Sequence, residues 1–275
     1  MSCITISSLS CTSGRAIAHN VATALGYELL DQEVFQSASS KSGIPEAKLL
    51  RAFQESPTFF GMSASTRKRL IPLVSAELAA RLLKDDVVYH GSFGHVLVTG
   101  VSHVLKVRIF AQLEDRVAIK VKREGGLSAG EAEKALLHED RQRDQIAKQV
   151  FNLDEEDAAL FDLVINTSQV DVDTAVDIIT GTVKLKRYQP MTYSVRCMEN
   201  LELSLRARAH LIDLDPDVVV EADNGNVRIR TRGAGWSSRK KSSEMRERTA
   251  TLDGVKSVDV EVVEDTLGRM AGGTR

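Results

Sequence analysis

Apolar positions at the start of the chain come in short blocks separated by polar turns. Residues 3–6 form a brief apolar run that passes at once into the small polar stretch SSLSCTS (7–13). This is the pattern of a buried strand ending in a loop. From Arg15 the apolar residues recur at Ile17, Ala18, Val21, Ala24 and Leu25, a helical spacing stopped by Gly26. The pattern then predicts a strand over 27–30 and helices over 32–40, 45–54 and 65–83. DDVVYHGSFGHVLV (85–98) predicts a strand at 87–90, a glycine turn, and a helix or strand near 95–98. HVLKVRIFA (103–111) is a β-branched strand, 113–124 is helical, and 128–151 is a long charged helix. DLVINTS (162–168) predicts a further strand and 173–184 a closing helix. Strands that alternate with helices predict a parallel sheet covered on both faces, an α/β unit over residues 1–183.

Beyond that point the pattern changes. KLKRYQPMTY (184–193) has the polarity and proline of a linker, expected over 184–195. A helix over 199–211 follows, then DPDVVVEADNGNVRIRTRGAGW (215–236), in which two alternating runs flank Asn224-Gly225. Asn and Gly tolerate the positive φ of a tight turn, so this is a hairpin signal. A helix over 242–251 and an alternating strand over 255–263 complete an αββαβ order. The expectation is a small C-terminal α+β domain over 196–265 and a flexible tail over 266–275.

Composition adds limits. The chain has 275 residues, 43% of them apolar, and a formal net charge of −2. That balance gives no support to nucleic-acid binding. No apolar run is long enough for a transmembrane segment and no secretory signal is evident, so a cytoplasmic setting is expected. Cys3, Cys11 and Cys197 form no CxxC pair, which argues against a disulfide framework or a zinc site.

The candidate chemistry lies in SLSCTSGRAIA (8–18). A loop that cradles phosphate needs successive backbone N–H groups turned inward and a helix start facing the anion. Against the pattern GxxxxGK[ST], Gly14 takes the last glycine, Arg15 the lysine place and Ala16 the hydroxyl place. Ser10, Cys11, Thr12 and Ser13 contribute amides or hydroxyls. An ordinary strand–turn–helix would share these features.

The longer stretch ITISSLSCTSGRAIAHNVATALGYELLDQEVF (4–34) resembles the opening of the cytidylate kinase-like family, which reads close to TISREFGSGGREIAxxLAxxLGxxxYDxEI. VVYHGSFGHVL (87–97) resembles its VIVGRGAGxxL, and HEDRQRDQIAKQVF (138–151) its DxxR lid helix. FDLVINTSQVDVDTAVDII (161–179) is similar to its YDLVINTSxLxxxxAVxxI, so the resemblance spans 3–180 in consistent order. It implies a P-loop kinase-like fold that uses ATP and Mg2+ and a nucleoside monophosphate acceptor, CMP or dCMP by default. In that family an arginine normally takes the lysine place and the hydroxyl is normally missing, so Arg15 and Ala16 fit. Ser8, Cys11 and Ser13 depart from its arginine and two glycines. Ser92 stands in the turn where it carries an arginine.

The resemblance implies roles by position. Arg15 would meet the donor β- and γ-phosphates, or be merely an exposed arginine at a helix start. Asp31 would sit beside the acceptor or Mg2+, or cap the helix that follows. Gly91 and Ser92 would lie at the acceptor, whereas His90 and His95 carry little weight. On the lid, Arg143 would be the catalytic arginine and Asp140 its partner, with Arg141 and Arg123 nearby. A solvated charged helix is the plainer account of that run. Asn166, Thr167 and Ser168 would lie near the adenine, and Asp162 would be structural. No protein metal-ligand set is evident.

Residues 196–264 resemble a BON domain, a small αββαβ module, which implies a phospholipid or protein partner. Arg239-Lys240-Lys241 could meet an anionic group there, or form a solvated loop. A kinase is the first reading. The alternative is a nucleotide-binding pseudokinase or sensor that signals through the C-terminal module. A third, an envelope-associated adaptor, is disfavoured by the missing signal segment.

Overall fold

The computed structural model describes residues 2–55, 62–233 and 235–263, without the side chains of residues 235–237. The tail expected over 266–275 lies outside the described residues. Strand β1 (Cys3–Ser8) runs into helix α1 (Gly14–Leu25), closed by Gly26 in the left-handed conformation. Strand β2 (Glu28–Leu30) leads to α2 (Glu33–Ser42), α3 (Glu46–Gln54) and α4 (Ala64–Leu82). Strand β3 (Val87–His90) precedes the short α5 (Gly94–Leu97), and β4 (Val104–Phe110) precedes α6 (Leu113–Glu124). Helix α7 (Ala129–Ile146) starts on a capping box of Ser128 and Glu131 and ends in a π-turn at Ala147–Phe151. Strand β5 (Leu163–Asn166) and α8 (Val172–Val183) complete the unit.

All five strands are parallel, in the order β2-β3-β1-β4-β5. The first strand therefore becomes the central one, buried between two apolar layers. Ile4 and Ile6 pack with Ile17, Val21, Leu105 and Ile179 on one face. Cys3 and Val87 pack with Leu49, Leu78 and Leu82 on the other. Continuous apolar runs suit a strand covered on both faces. In such sheets the ligand crevice lies beyond the carboxyl ends of the strands, where the order reverses.

The stretch expected as a linker, 184–195, is packed instead. Lys186–Tyr188 form a 3-10 turn, Tyr188 is buried in the sheet's core, and helix α9 (Thr192–Leu211) starts inside the segment. Apolar residues at helical spacing decided this, because they found a face to cover. Met198 is buried in the core beside α4, with Cys197 and Leu201 against it. Farther along the same helix, Leu203, Ala207 and Leu211 enter a separate core with Val227, Ile229 and Met245. One uninterrupted helix thus belongs to two cores.

That second core is covered by strands β6 (Val219–Asp223), β7 (Asn226–Arg232) and β8 (Ser257–Val263) and by helix α10 (Gly235–Ala250). The hairpin turns at Asn224 (φ 50°) and Gly225 (φ 86°). Strand β8 then returns parallel to β7. The basic cluster is not one surface patch: Lys241 Nζ turns to Asp215 at 2.9 Å, leaving Arg239 and Lys240 exposed.

Met198 is 1% exposed and belongs to the larger core. Met198→Ala should destabilise the chain by about 2–5 kcal/mol, measured by denaturant unfolding. Because α9 is shared, the C-terminal sheet and the parallel sheet should lose structure in one coincident transition.

Candidate active site

The site forms where β1 ends. Leu9 N–H donates to Ile109 O at 3.2 Å, which keeps the chain in the sheet for one residue more. The loop then turns through Cys11, whose φ of 56° is left-handed. A non-glycine residue carries there the conformation that glycine provides more cheaply, at roughly 1–2 kcal/mol. Thr12 Oγ1 donates to Leu9 O at 2.9 Å and accepts from Gly14 N–H at 3.3 Å, tying the loop to itself. Gly14 is required by contact: a Cβ there would lie 2.3 Å from Ser8 Cβ.

Two arginines, Arg116 of α6 and Arg143 of α7, orient the loop. Arg116 Nε donates to Ser10 O at 2.9 Å, and its two terminal nitrogens grip Asp140 at 2.8 Å each. Arg143 Nη1 donates to Ser8 O at 2.7 Å. Carbonyl and following N–H of a trans peptide point in opposite directions. Holding Ser10 O toward Arg116 therefore turns the Cys11 N–H the other way. Among the described residues, no acceptor takes the amides of Cys11, Thr12, Ser13, Arg15 or Ala16. Helix α1 has no acidic residue in its first turn, and Ser13 makes no side-chain cap. The result is an open positive helix end, the arrangement that binds phosphate.

Asp140 was expected to partner Arg143, and it does not. Asp140 pairs with Arg116, while Arg143 grips Glu155 through Nε (2.5 Å) and Nη2. Two arginines two positions apart on a helix face different ways, so Arg141 is exposed while Arg143 turns inward. Arg123 is exposed as well. Arg116 and Glu155 are the residues the pattern did not single out. A signal for Arg116 existed: Arg116 and Lys120, one helical turn apart on α6, meet Asp140 and Glu139 of α7.

Arg15 projects from α1 with its side chain 82% exposed, its Nε 3.4 Å from Asp31 Oδ2. Asp31 does not cap α2, whose first residue follows an uncapped Gln32. It lies between Arg15 and His90, with His90 Nδ1 at 3.8 Å. Those two neighbours, His90 foremost, hold its carboxyl below the usual range. At 3.8 Å the His90 contact is electrostatic rather than a formed hydrogen bond. The other ring nitrogen of His90 meets Ser8 Oγ at 3.0 Å. Ser8 and His90 thus pair with each other where the resemblance implied an arginine.

Gly91 and Gly94 flank the turn after β3 because a Cβ at either would strike the buried Tyr89 side chain, its hydroxyl at 2.4 Å and its ring at 2.5 Å. Ser92 is half-buried in that turn. Asn166, Thr167 and Ser168 bind locally: Thr167 N–H donates to Phe110 O, and Ser168 Oγ accepts from Gln112 N–H, both at 2.8 Å. This fastens the loop after β5 to the start of α6. Asp162 accepts from Lys106 N–H at 3.0 Å. Among the described residues no group of three His, Cys, Asp or Glu could hold a metal ion. A single carboxylate with substrate phosphates is nonetheless the usual way Mg2+ is held, and ionised Asp31 fits that part.

A five-stranded parallel sheet with a glycine-closed loop and an uncapped helix at its central strand is the architecture of P-loop-type kinases. The chain belongs to the cytidylate kinase-like family, whose profile matches residues 3–169. It is 28% identical over 185 residues to a cytidylate kinase of Archaeoglobus fulgidus, covering 67% of this chain and 96% of that one. In fold it is similar to an uncharacterised protein from Eubacterium ventriosum: TM-score 0.51, 17% identity, 68% of this chain and all of that one. A shikimate kinase from Bacteroides thetaiotaomicron gives a TM-score of 0.44 at 8% identity over 67% of this chain and 99% of its own. Family membership supports a nucleotide kinase-type function. No described helix is long and apolar enough to cross a membrane.

Two outcomes follow. Gly14→Ala should abolish binding of a fluorescent ATP analogue, whereas the double variant Ser8→Gly/Gly14→Ala should recover part of it. His95, 3% exposed, is held down to about 4 by burial. The unfolded chain takes up this proton near pH 6.5 and the folded one only near 4, so stability falls as pH drops through that window. In His95→Leu the acid-side loss measured by denaturant unfolding should flatten by about one proton, ~1.4 kcal/mol per pH unit.

Proposed function

We propose that the chain is an ATP-dependent nucleoside monophosphate kinase that transfers the γ-phosphoryl group to an acceptor such as CMP or dCMP. The observation that carries this reading is the set of amides at Cys11, Thr12, Ser13, Arg15 and Ala16, which no acceptor among the described residues takes, around the open end of α1. Phosphoryl transfer needs alignment and positive charge more than covalent chemistry. The amides hold the donor phosphates, and Arg15 swings from Asp31 to the β- and γ-oxygens. Its exposure leaves it free to do so, and its planar fork takes two oxygens at once. Mg2+, when bound, neutralises charge on the phosphates being parted, and Asp31 is the carboxylate that would help hold it. Arg143 stands at the start of the loop as the catalytic arginine, with Arg141 and Arg123 on the lid exposed toward solvent. Gly91 and Ser92 shape the acceptor side, and Asn166, Thr167 and Ser168 border the adenine.

A second reading is favoured by one observation, the shared helix α9. Under it the C-terminal αββαβ unit is a BON-like module that reports nucleotide occupancy to a phospholipid or protein partner. The assay separates the two. With ATP, Mg2+ and CMP, dCMP, UMP or AMP in turn, ADP should form with a cytidylate acceptor. Arg15→Ala should lower kcat/KM about a hundredfold. Tight ATP binding with no turnover on any acceptor would leave only the sensor reading standing.

A further inference from the structure

We propose that Glu155 is a positioning residue that sets the Arg143 fork against the phosphate-binding loop, an inference that rests on the kinase reading above. Glu155 lies outside the lid motif, twelve positions beyond Arg143, yet the chain is bent to bring it back. Helix α7 ends in the π-turn Ala147–Phe151, and Asn152 then takes a left-handed φ of 53°. Single π-turns inside or at the end of α-helices often mark functional sites. From there the chain reverses and Glu155 meets Arg143 from below, its side chain 4% exposed.

The opposite wall is also specialised. Phe93 has a φ of 63° although it is bulky and fully buried. A non-glycine aromatic residue there is a costly conformation, retained where the surroundings impose it. Its ring lies 5.6 Å from the Arg143 guanidinium carbon and 4.8 Å from the ring of Phe151 in the π-turn. Arg143 is thus held between an aromatic face and a carboxylate, each presented by an unusual backbone.

The donors account for the orientation. Nε and Nη2 engage Glu155, Nη2 also reaches Ser7 Oγ at 2.5 Å, and Nη1 reaches Ser8 O at 2.7 Å. Among the described residues, four of the five N–H groups of the arginine have acceptors and one on Nη1 has none. A fork gripped along one edge presents the other edge in a fixed direction, which is what alignment of a phosphoryl group requires. Charge is also conserved for the task. Arg108 lies 3.5 Å from Glu155 Oε1 and stacks 5.5 Å from the Phe161 ring, so two guanidinium groups share one carboxylate. The cluster keeps a net positive charge beneath the loop. Burial alone would raise the Glu155 carboxyl, but Arg143 and Arg108 hold it below the usual range. It therefore remains a carboxylate.

The test uses the full chain. Glu155→Gln keeps the volume and removes the charge; Glu155→Asp keeps the charge and withdraws it. ADP formation on CMP at saturating ATP is measured beside the dissociation constant of a fluorescent ATP analogue without acceptor. Glu155→Gln should lower kcat about a hundredfold, while KM for ATP and the analogue's dissociation constant change less than about threefold. Glu155→Asp should recover part of kcat. Should Glu155→Gln fail to fold, Arg143→Lys retains the charge without the fork and should show the same loss. An unchanged kcat in Glu155→Gln, or a raised one as from a released brake, overturns the inference and leaves the kinase reading intact. An inactive wild type sinks both.

Discussion

The carboxyl edge of the sheet depends on how two loop carbonyls are held. Ser8 O is taken by Arg143 and Ser10 O by Arg116, each arginine fixed from behind by an acid, Glu155 and Asp140. These bonds turn peptide units of the loop toward the lid, so that its amides face the other way around the start of α1. Without them the short polar loop would keep its Thr12 ties to Leu9 and Gly14 and the anchoring bond from Leu9 N–H to Ile109 O. Helices α6 and α7 thus set the course of the loop between β1 and α1.

This arrangement explains how a loop poor in glycine keeps a defined course around the start of α1. Cys11 adopts the left-handed conformation itself, beside the charge-assisted bonds that hold Ser8 O and Ser10 O. Gly14 is the one position in the loop where a side chain would collide with the neighbouring strand. The end of β3 beside the loop shows a different economy. Ser8 and His90 pair with each other beside Asp31, and the guanidinium groups around the loop are Arg15 at the start of α1 and the Arg108–Arg143 cluster.

The C-terminal unit is joined to this machinery through α9 rather than through a free tether. Its first turns complete the core beside α4, and its last turns found the core of the small sheet. Lys68 of α4 also pairs with Asp217 ahead of β6.

The sequence alone determined what short-range periodicity can encode. The alternation of strands and helices, the break at Gly26, the Asn224-Gly225 hairpin and the register that puts Arg15 at the helix start all follow from spacing within a turn or a strand. Tertiary structure decided the choices among distant partners. Asp140 went to Arg116 of α6 although Arg143 stands only three positions along its own helix, because Glu155 takes the Arg143 fork. Glu155 reached Arg143 only because a π-turn and a left-handed Asn152 reversed the chain, and no local pattern announces either. Residues 184–195 read as a linker by polarity, yet Tyr188 and the apolar stripe of α9 were buried as soon as a complementary face was present. Local rules fix which elements form; which charged groups meet is set by the few approaches that leave no buried charge without a partner.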